Sequence, residues 1–266
     1  MQTRLHPLPV AASGTRREVQ SLHFGPVRAT RKVYIQAALH ADEIPGMLVC
    51  HYLQQMLTGL EASGALLSQV VMVPVANPVG LAQQIQGTAF GRFDLSTGLN
   101  FNRGYQHLTP ALIAELRPLL GKDAQENLHL IRRSAQRLLH ERVTPDETSA
   151  LKRLLQSLAI DADVVLDLHC DHQAVLHLYC GTPLAEQTLR LAAHLQAQQM
   201  HELRVAVERA EQGGMRPLDI MAARLRTQIA ERRQELYIGE RVGGDARLAA
   251  DFLRKRYQRL TGLGLG

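Results

Sequence analysis

His40, Glu43 and His169 are the side chains in this sequence whose types and spacing suit metal chemistry. Two imidazoles and one carboxylate are a common ligand set for a catalytic zinc, which keeps a fourth coordination position open for water. His40 and Glu43 stand three residues apart in Leu39-His40-Ala41-Asp42-Glu43, directly after the run Tyr34-Ile35-Gln36-Ala37-Ala38. His169 closes a second apolar run, Val164-Val165-Leu166-Asp167-Leu168. A close pair and one distant ligand thus each fall where a strand gives way to a loop. In an open α/β sheet, sites are built along that edge.

Taken singly, each residue has a plainer reading. His40 or His169 alone is a strand-end histidine, and Glu43 alone is a first-turn carboxylate favoured by the helix dipole. His172 and His177 are rival ligands near His169, although His177 lies between Leu176 and Leu178 and reads as a hydrogen-bonded strand histidine. Asp167 shares a strand face with His169. It reads equally well as a group that orients a ligand or as half of a buried ion pair. Cys170 reads as a small buried residue.

The elements that must position these groups follow from periodicity. Lys32 to Leu39 reads as a buried strand. Ile44 to Leu60 has helical spacing of Ile44, Met47, Leu48, Tyr52, Leu53, Met56, Leu57 and Leu60. Gln69 to Ala76 is a second strand that Pro74 makes an edge strand or ends early, and Asn77-Pro78-Val79-Gly80 is a turn signal. Residues 87–107 form a Gly- and Asn-rich loop, and a loop of that length in a compact domain is commonly functional. Thr109 to Val143 reads as one or two helices, and Thr144-Pro145-Asp146-Glu147 opens another with Thr144 as its N-cap. Ala162–Leu168 and Ala174–Tyr179 are strands, and Pro183–Gln199 is an amphipathic helix. Residues 1–26 read as an irregular lead-in. After about residue 200 the pattern degrades, with a strand over Arg204–Val207 and helices over Met221–Arg233 and Leu248–Tyr257. The order implies an α/β protein with a mixed, mostly parallel sheet and helices on both faces, spanning 1–266 as a single catalytic domain with a divergent tail.

Composition narrows the function classes. At 45% hydrophobic and 21% charged, the 266 residues have an ordinary globular balance. No apolar run is long enough to span a bilayer, and the first residues lack the apolar core of a secretory signal. Cys50, Cys170 and Cys180 are too few and scattered for a disulfide framework, so a cytoplasmic setting is expected. The net charge of +5 comes from arginines spread along helix-like segments such as Leu130 to Arg137. No basic run is interleaved with aromatics, so neither nucleic acid nor membrane is an expected partner.

His40-Ala41-Asp42-Glu43, the Asn100-Phe101-Asn102-Arg103 block and Asp167-Leu168-His169 occur in the order and spacing of the succinylglutamate desuccinylase/aspartoacylase family. From about Val33 to Ala193 the chain resembles that family, which belongs to the zinc carboxypeptidase-like superfamily. The resemblance implies one zinc per chain, held by His40, Glu43 and His169, and hydrolysis of an amide next to a carboxylate. It implies that Asn102 and Arg103 hold the substrate carboxylate and that Arg92 polarises the scissile carbonyl. Relatives carry the general base in a short Val-Glu-Leu-Gly-like strand after the third ligand. Glu235, in Gln234-Glu235-Leu236-Tyr237-Ile238-Gly239, matches it in part, with Glu240 and Glu208 as weaker matches. Many relatives have a further C-terminal β-rich domain for which this chain leaves no room.

The chemistry is coherent on general grounds. Zinc lowers the pKa of a bound water toward about 7, a guanidinium such as that of Arg92 can stabilise the oxyanion formed on attack, and Arg103 can grip a carboxylate bidentately. A base must still move the proton to the leaving amine. The expected activity is a zinc-dependent deacylase acting on a small N-acyl amino acid or similar carboxylate-bearing amide. The alternatives are a metallocarboxypeptidase acting on peptides and a catalytically impaired zinc-binding or interaction domain.

Overall fold

The computed structural model describes residues 1–170, 176–181, 184–195 and 199–202. The chain divides into two units, Met1–Gln173 and Ala174–Gly266. The expected elements over Arg204–Val207, Met221–Arg233 and Leu248–Tyr257 lie outside the described residues.

The first unit is built on a five-stranded sheet. Its strands are β1 (Gln2–Pro7), β2 (Glu18–Phe24), β3 (Lys32–Ala37), β4 (Gln69–Val73) and β7 (Val164–Leu168), in the order β1-β2-β4-β3-β7. β3 runs parallel to β4 and β7, with Tyr34 opposite Val71 and Val165. β2 runs antiparallel to β1 and β4. The segment expected to be an irregular lead-in is therefore a hairpin that extends the sheet. Its alternation is partly masked because charged and polar residues fill the solvent-facing positions, while Val19, Ser21, Leu22 and Phe24 are buried.

Helices cover both faces. α1 (Pro45–Ala62) packs Cys50 and Leu57 onto the side formed by Ile35, Ala37, Val70 and Met72. Beyond α2 (Pro78–Leu81) and the small hairpin β5 (Gln84–Ile85) and β6 (Thr88–Ala89), two helices, α3 (Thr109–Leu116) and α4 (Ala124–Glu141), lead to α5 (Glu147–Ala159). α5 packs Leu151 and Leu155 against Tyr34, Val71 and Val73 on the opposite side. The cap of α5 is Asp146, not Thr144. Its carboxylate accepts from the Ser149 N–H at 2.6 Å, and the helix begins one residue after it. Asp146 is itself extended, with φ -142° and ψ 170°, so the helix can begin only after it, two residues beyond Thr144. β4 ends at Val73, immediately before Pro74, as a strand that must keep its ladder donors has to. The Asn77 turn signal becomes the N-cap of α2, with Gly80 N–H donating to Asn77 Oδ1 at 2.8 Å.

The described part of the second unit holds β8 (His177–Cys180), β9 (Gln199–Glu202) and α6 (Ala185–Leu195). β8 and β9 pair in parallel. Within the described residues, β8 covers His177–Tyr179 of the strand expected over Ala174–Tyr179, and α6 covers Ala185–Leu195 of the helix expected over Pro183–Gln199.

Candidate active site

His40 and Glu43 lie just beyond β3, and His169 lies one residue beyond β7, its parallel neighbour. Parallel strands end on the same sheet edge, so distant stretches of sequence converge there. The turn out of β3 is sharp. Ala38 adopts a left-handed backbone with φ 57°, a conformation that costs an L-residue roughly 1–2 kcal/mol. Buried Asn77 holds the next residue in place, its Nδ2 donating to the Leu39 carbonyl at 2.8 Å. Gly91 closes the other side. Its carbonyl accepts from Ala41 N–H at 3.0 Å, and a Cβ at this position would lie 2.3 Å from the Asp42 nitrogen.

The Glu43 carboxylate sits at the centre of the cluster and is almost wholly buried. Oε1 meets His40 Nδ1 at 2.9 Å and accepts from Arg92 Nη2 at 2.9 Å. Oε2 meets His169 Nδ1 at 2.9 Å and accepts from the Cys170 N–H at 2.9 Å. Burial favours the neutral acid, but the hydrogen bonds from His169, His40 and Cys170 outweigh it and hold Glu43 well below the usual carboxylate range. His169 is pushed up to about 10 by its hydrogen bonds to Asp167 and Glu43, against its burial. A group so held between two carboxylates favours its protonated form, and a metal that ligated it would have to displace that proton.

Ligand atoms of His40, Glu43 and His169 lie within 4.8 Å of one another. Ligands at about 2.0–2.2 Å from a shared ion lie closer to one another than that, so the three side chains would converge on an ion with a small inward shift. Three neutralisable or anionic donors converge, and Asp167 Oδ2 meets the remaining nitrogen of His169 at 2.9 Å, the arrangement that fixes a ligand's ring and tautomer. The residues fit a divalent metal of zinc's preferences.

The remaining candidates fall on one segment. Arg92 reaches the cluster directly through Glu43 while its side chain stays 44% exposed. Asn100 closes a bridge with Phe93, and its Oδ1 accepts from Asn102 N–H at 2.7 Å and lies 3.4 Å from His40 Nε2. Asn102 and Arg103 therefore sit on a turn adjoining His40. Arg103 is exposed, with Nη1 donating to the Asn102 carbonyl at 2.7 Å. Glu235, Glu240, Glu208 and the rival ligand His172 lie outside the described residues. His177 stands on β8, and its ring packs edge-on against Tyr179 with centroids 5.0 Å apart. Sequence reasoning missed the supporting roles of Asn77, Gly91 and the Cys170 N–H. Only Asn77, before a proline, carries a local signal, because the others act through backbone.

A family model described as the succinylglutamate desuccinylase/aspartoacylase catalytic domain matches residues 29–221. No curated protein matches. Among solved structures, a family protein of that description from Shewanella amazonensis SB2B is 30% identical with a TM-score of 0.59, over 68% of this chain and 50% of that one. A second, from Shewanella frigidimarina NCIMB 400, is 28% identical with a TM-score of 0.57, over 68% of this chain and 49% of that one. The chain spans about half the length of these two relatives. With the sheet, the converging ligands and a match over most of its length, the chain belongs to the succinylglutamate desuccinylase/aspartoacylase family.

Proposed function

We propose that this chain is a zinc-dependent hydrolase that cleaves the amide bond of a small N-acyl amino acid or a similar carboxylate-bearing amide. The observation that carries this reading is the convergence of His40, Glu43 and His169 within 4.8 Å, with the Arg92 guanidinium on the same carboxylate. Those three side chains would hold one zinc per chain. Bound there, zinc supplies Lewis acidity and a water whose pKa falls toward about 7.

The chain's own residues do the rest. Arg92 is anchored on Glu43 yet partly exposed, so it can turn its free N–H groups to a substrate carbonyl and stabilise the charge that develops on oxygen. Arg103, on the turn beside His40, grips the substrate carboxylate, and Asn102 shapes that turn. Both arginines belong to one continuous segment, so the substrate is held at two points whose separation the segment sets. Glu235 is assigned the proton transfer to the leaving amine, on its partial match to the family's base-bearing strand. Three cysteines, Cys50, Cys170 and Cys180, are too few and scattered for a disulfide framework, which suits a cytoplasmic setting. Among the described residues no helix is long and apolar enough to cross a membrane.

Metal analysis of purified protein, together with a panel of N-acetyl and N-succinyl derivatives of aspartate and glutamate, tests the reading. The expected result is one zinc per chain and turnover of at least one acyl amino acid. His40→Ala and His169→Ala should lose most of the metal. Full zinc retention in both variants, or zinc without hydrolysis anywhere on the panel, overturns it.

A further inference from the structure

Thr148, Lys152 and Gln156 stand four residues apart on α5, and that spacing puts them on one face of the helix. Each reaches the segment that carries Arg92, Asn100, Asn102 and Arg103. Thr148, buried beside the carboxylate of Asp94 two residues after Arg92, helps hold that carboxylate charged. Lys152 Nζ donates to the Asn100 carbonyl at 3.1 Å. Gln156 bonds Gln106 in both directions, Nε2 to its carbonyl at 2.8 Å and Oε1 from its N–H at 3.1 Å. Lys152 and Gln156, on successive turns of one helix, therefore hold two successive points of the loop by hydrogen bonds, and Thr148 stands beside a third.

Lys152 is the unusual member. Its side chain is buried, with the residue only 7% exposed, and an ammonium is costly to bury. Burial lowers its pKa, against the pull of the Asp146 and Asp94 carboxylates. An apolar residue of the same length would fill the space without that cost. What the charge adds is a strong donor to one carbonyl, and that carbonyl belongs to the residue whose side chain organises the turn. Asn100 Oδ1 holds the Asn102 N–H and lies beside His40. Gly104 then turns the chain with φ 71°, its Cβ position 3.9 Å from Lys152 Nζ. The ladder is connected from α5 through Asn100 to the turn that presents Arg103.

We propose that Lys152 and Gln156 are positioning residues that lock the 100–106 part of the loop onto α5 and so set the Asn100–Arg103 turn for a substrate carboxylate. The identity of what the turn binds rests on the function proposed above. The lock itself does not, and the two are separated experimentally.

Limited trypsin digestion of the full-length protein reads the lock without any activity. Cleavage after Arg103 is compared with cleavage after Arg137, which lies within α4 and reports general unfolding. Lys152→Met and, as a second variant, Gln156→Met should each speed cleavage after Arg103 by about tenfold with Arg137 unchanged, the scale of one lost hydrogen bond. Unchanged cleavage after Arg103 in both variants overturns the lock, as does equal acceleration at both sites. Kinetics on the best acyl amino acid then reads the consequence. KM should rise about tenfold while kcat and zinc content stay within about twofold, and Lys152→Arg should recover part of the loss. A loosened loop with unaltered KM overturns the carboxylate role of the turn. Absence of turnover in the unmodified protein counts against the proposed function alone, because the digestion still decides the lock.

Discussion

Asp167 and His169, two residues apart at the end of β7, face each other with Oδ2 and Nε2 separated by 2.9 Å, while His169 turns Nδ1 to Glu43. Residues two apart on a strand share a face, so the sequence spacing itself delivers the carboxylate to the far nitrogen of the imidazole. The contact accommodates both sequence readings of Asp167, as half of an ion pair with His169 and as a group that would orient the ring toward a metal. Asp167→Ala should weaken zinc binding by roughly 10–100-fold. Asp167→Asn, which keeps an acceptor but no charge, should fall between. Competition against a chelator of known affinity measures both, and equal affinity in all three proteins would show Asp167 to be a bystander.

Gly91 is required by space. A Cβ there would meet Asp42 N at 2.3 Å and Ala41 C at 2.8 Å, and backbone atoms held on both sides cannot retreat as a side chain can. Gly91→Ala should therefore destabilise the fold by about 1–3 kcal/mol. It should also weaken metal binding, because the displaced strands carry Arg92 on one side and His40 on the other. Thermal unfolding and zinc titration on the same preparation check this. A variant with unaltered Tm and affinity would mean the two segments separate without cost.

The hairpin that the sequence pattern did not reveal carries a pH dependence. His6 Nε2 and His23 Nε2 both contact the buried Ser21 hydroxyl, at 2.8 and 2.9 Å, and His23 Nδ1 is buried without a hydrogen-bond partner among the described residues. Burial, then the charges of Arg4, Lys32 and His6, lower His23 to about 4. The unfolded chain takes up a proton near 6.5 and the folded chain only near 4, so the stability is fully present above about 6.5 and is lost as pH falls toward 4. Tm should drop more between pH 7 and pH 5 in the unmodified protein than in His23→Gln. Parallel Tm curves would remove His23 from the acid response. Solvent reaches part of this face, so the difference is a few degrees rather than a loss of fold.

What was legible in the sequence was set by local chemistry. Lys32–Ala37 and Val164–Leu168 announce themselves by apolar content, and His40, Glu43 and His169 by following them. β1 and β2 were not legible because their outer faces are polar, and the buried Ser21 sits where alternation predicts an apolar residue. The start of α5 was misplaced by two residues because Thr144-Pro145 and Asp146-Glu147 both resemble helix openings. Only the extended backbone of Asp146 decides between them. The loop's grip on α5 was invisible for a different reason. Lys152 and Gln156 bond main-chain groups of Asn100 and Gln106, and a backbone partner leaves no trace in residue type.

Arg92 and Arg103 share one loop but should fail differently when removed. Arg92 touches the carboxylate of Glu43, so under the proposed function its charge would stand where the reacting carbonyl oxygen becomes negative. Its loss should be felt in the transition state more than in the ground state. Arg92→Ala should lower kcat by roughly two to three orders of magnitude, as loss of an oxyanion donor does. Part of its effect on metal retention must be subtracted by measuring zinc in the same sample, since Glu43 also loses a partner. Arg103, exposed and bonded only to its own turn among the described residues, should under the proposed function act on binding. Arg103→Ala should raise KM by an amount equivalent to about 2–5 kcal/mol if the ion pair with substrate is desolvated, leaving zinc content unchanged. Amidated substrates should then lose the same factor on the unmodified protein and nothing further on the variant. Equal turnover of free-acid and amidated substrates by the unmodified protein would remove Arg103 from carboxylate recognition. A normal kcat in zinc-loaded Arg92→Ala would reduce Arg92 to a structural partner of Glu43.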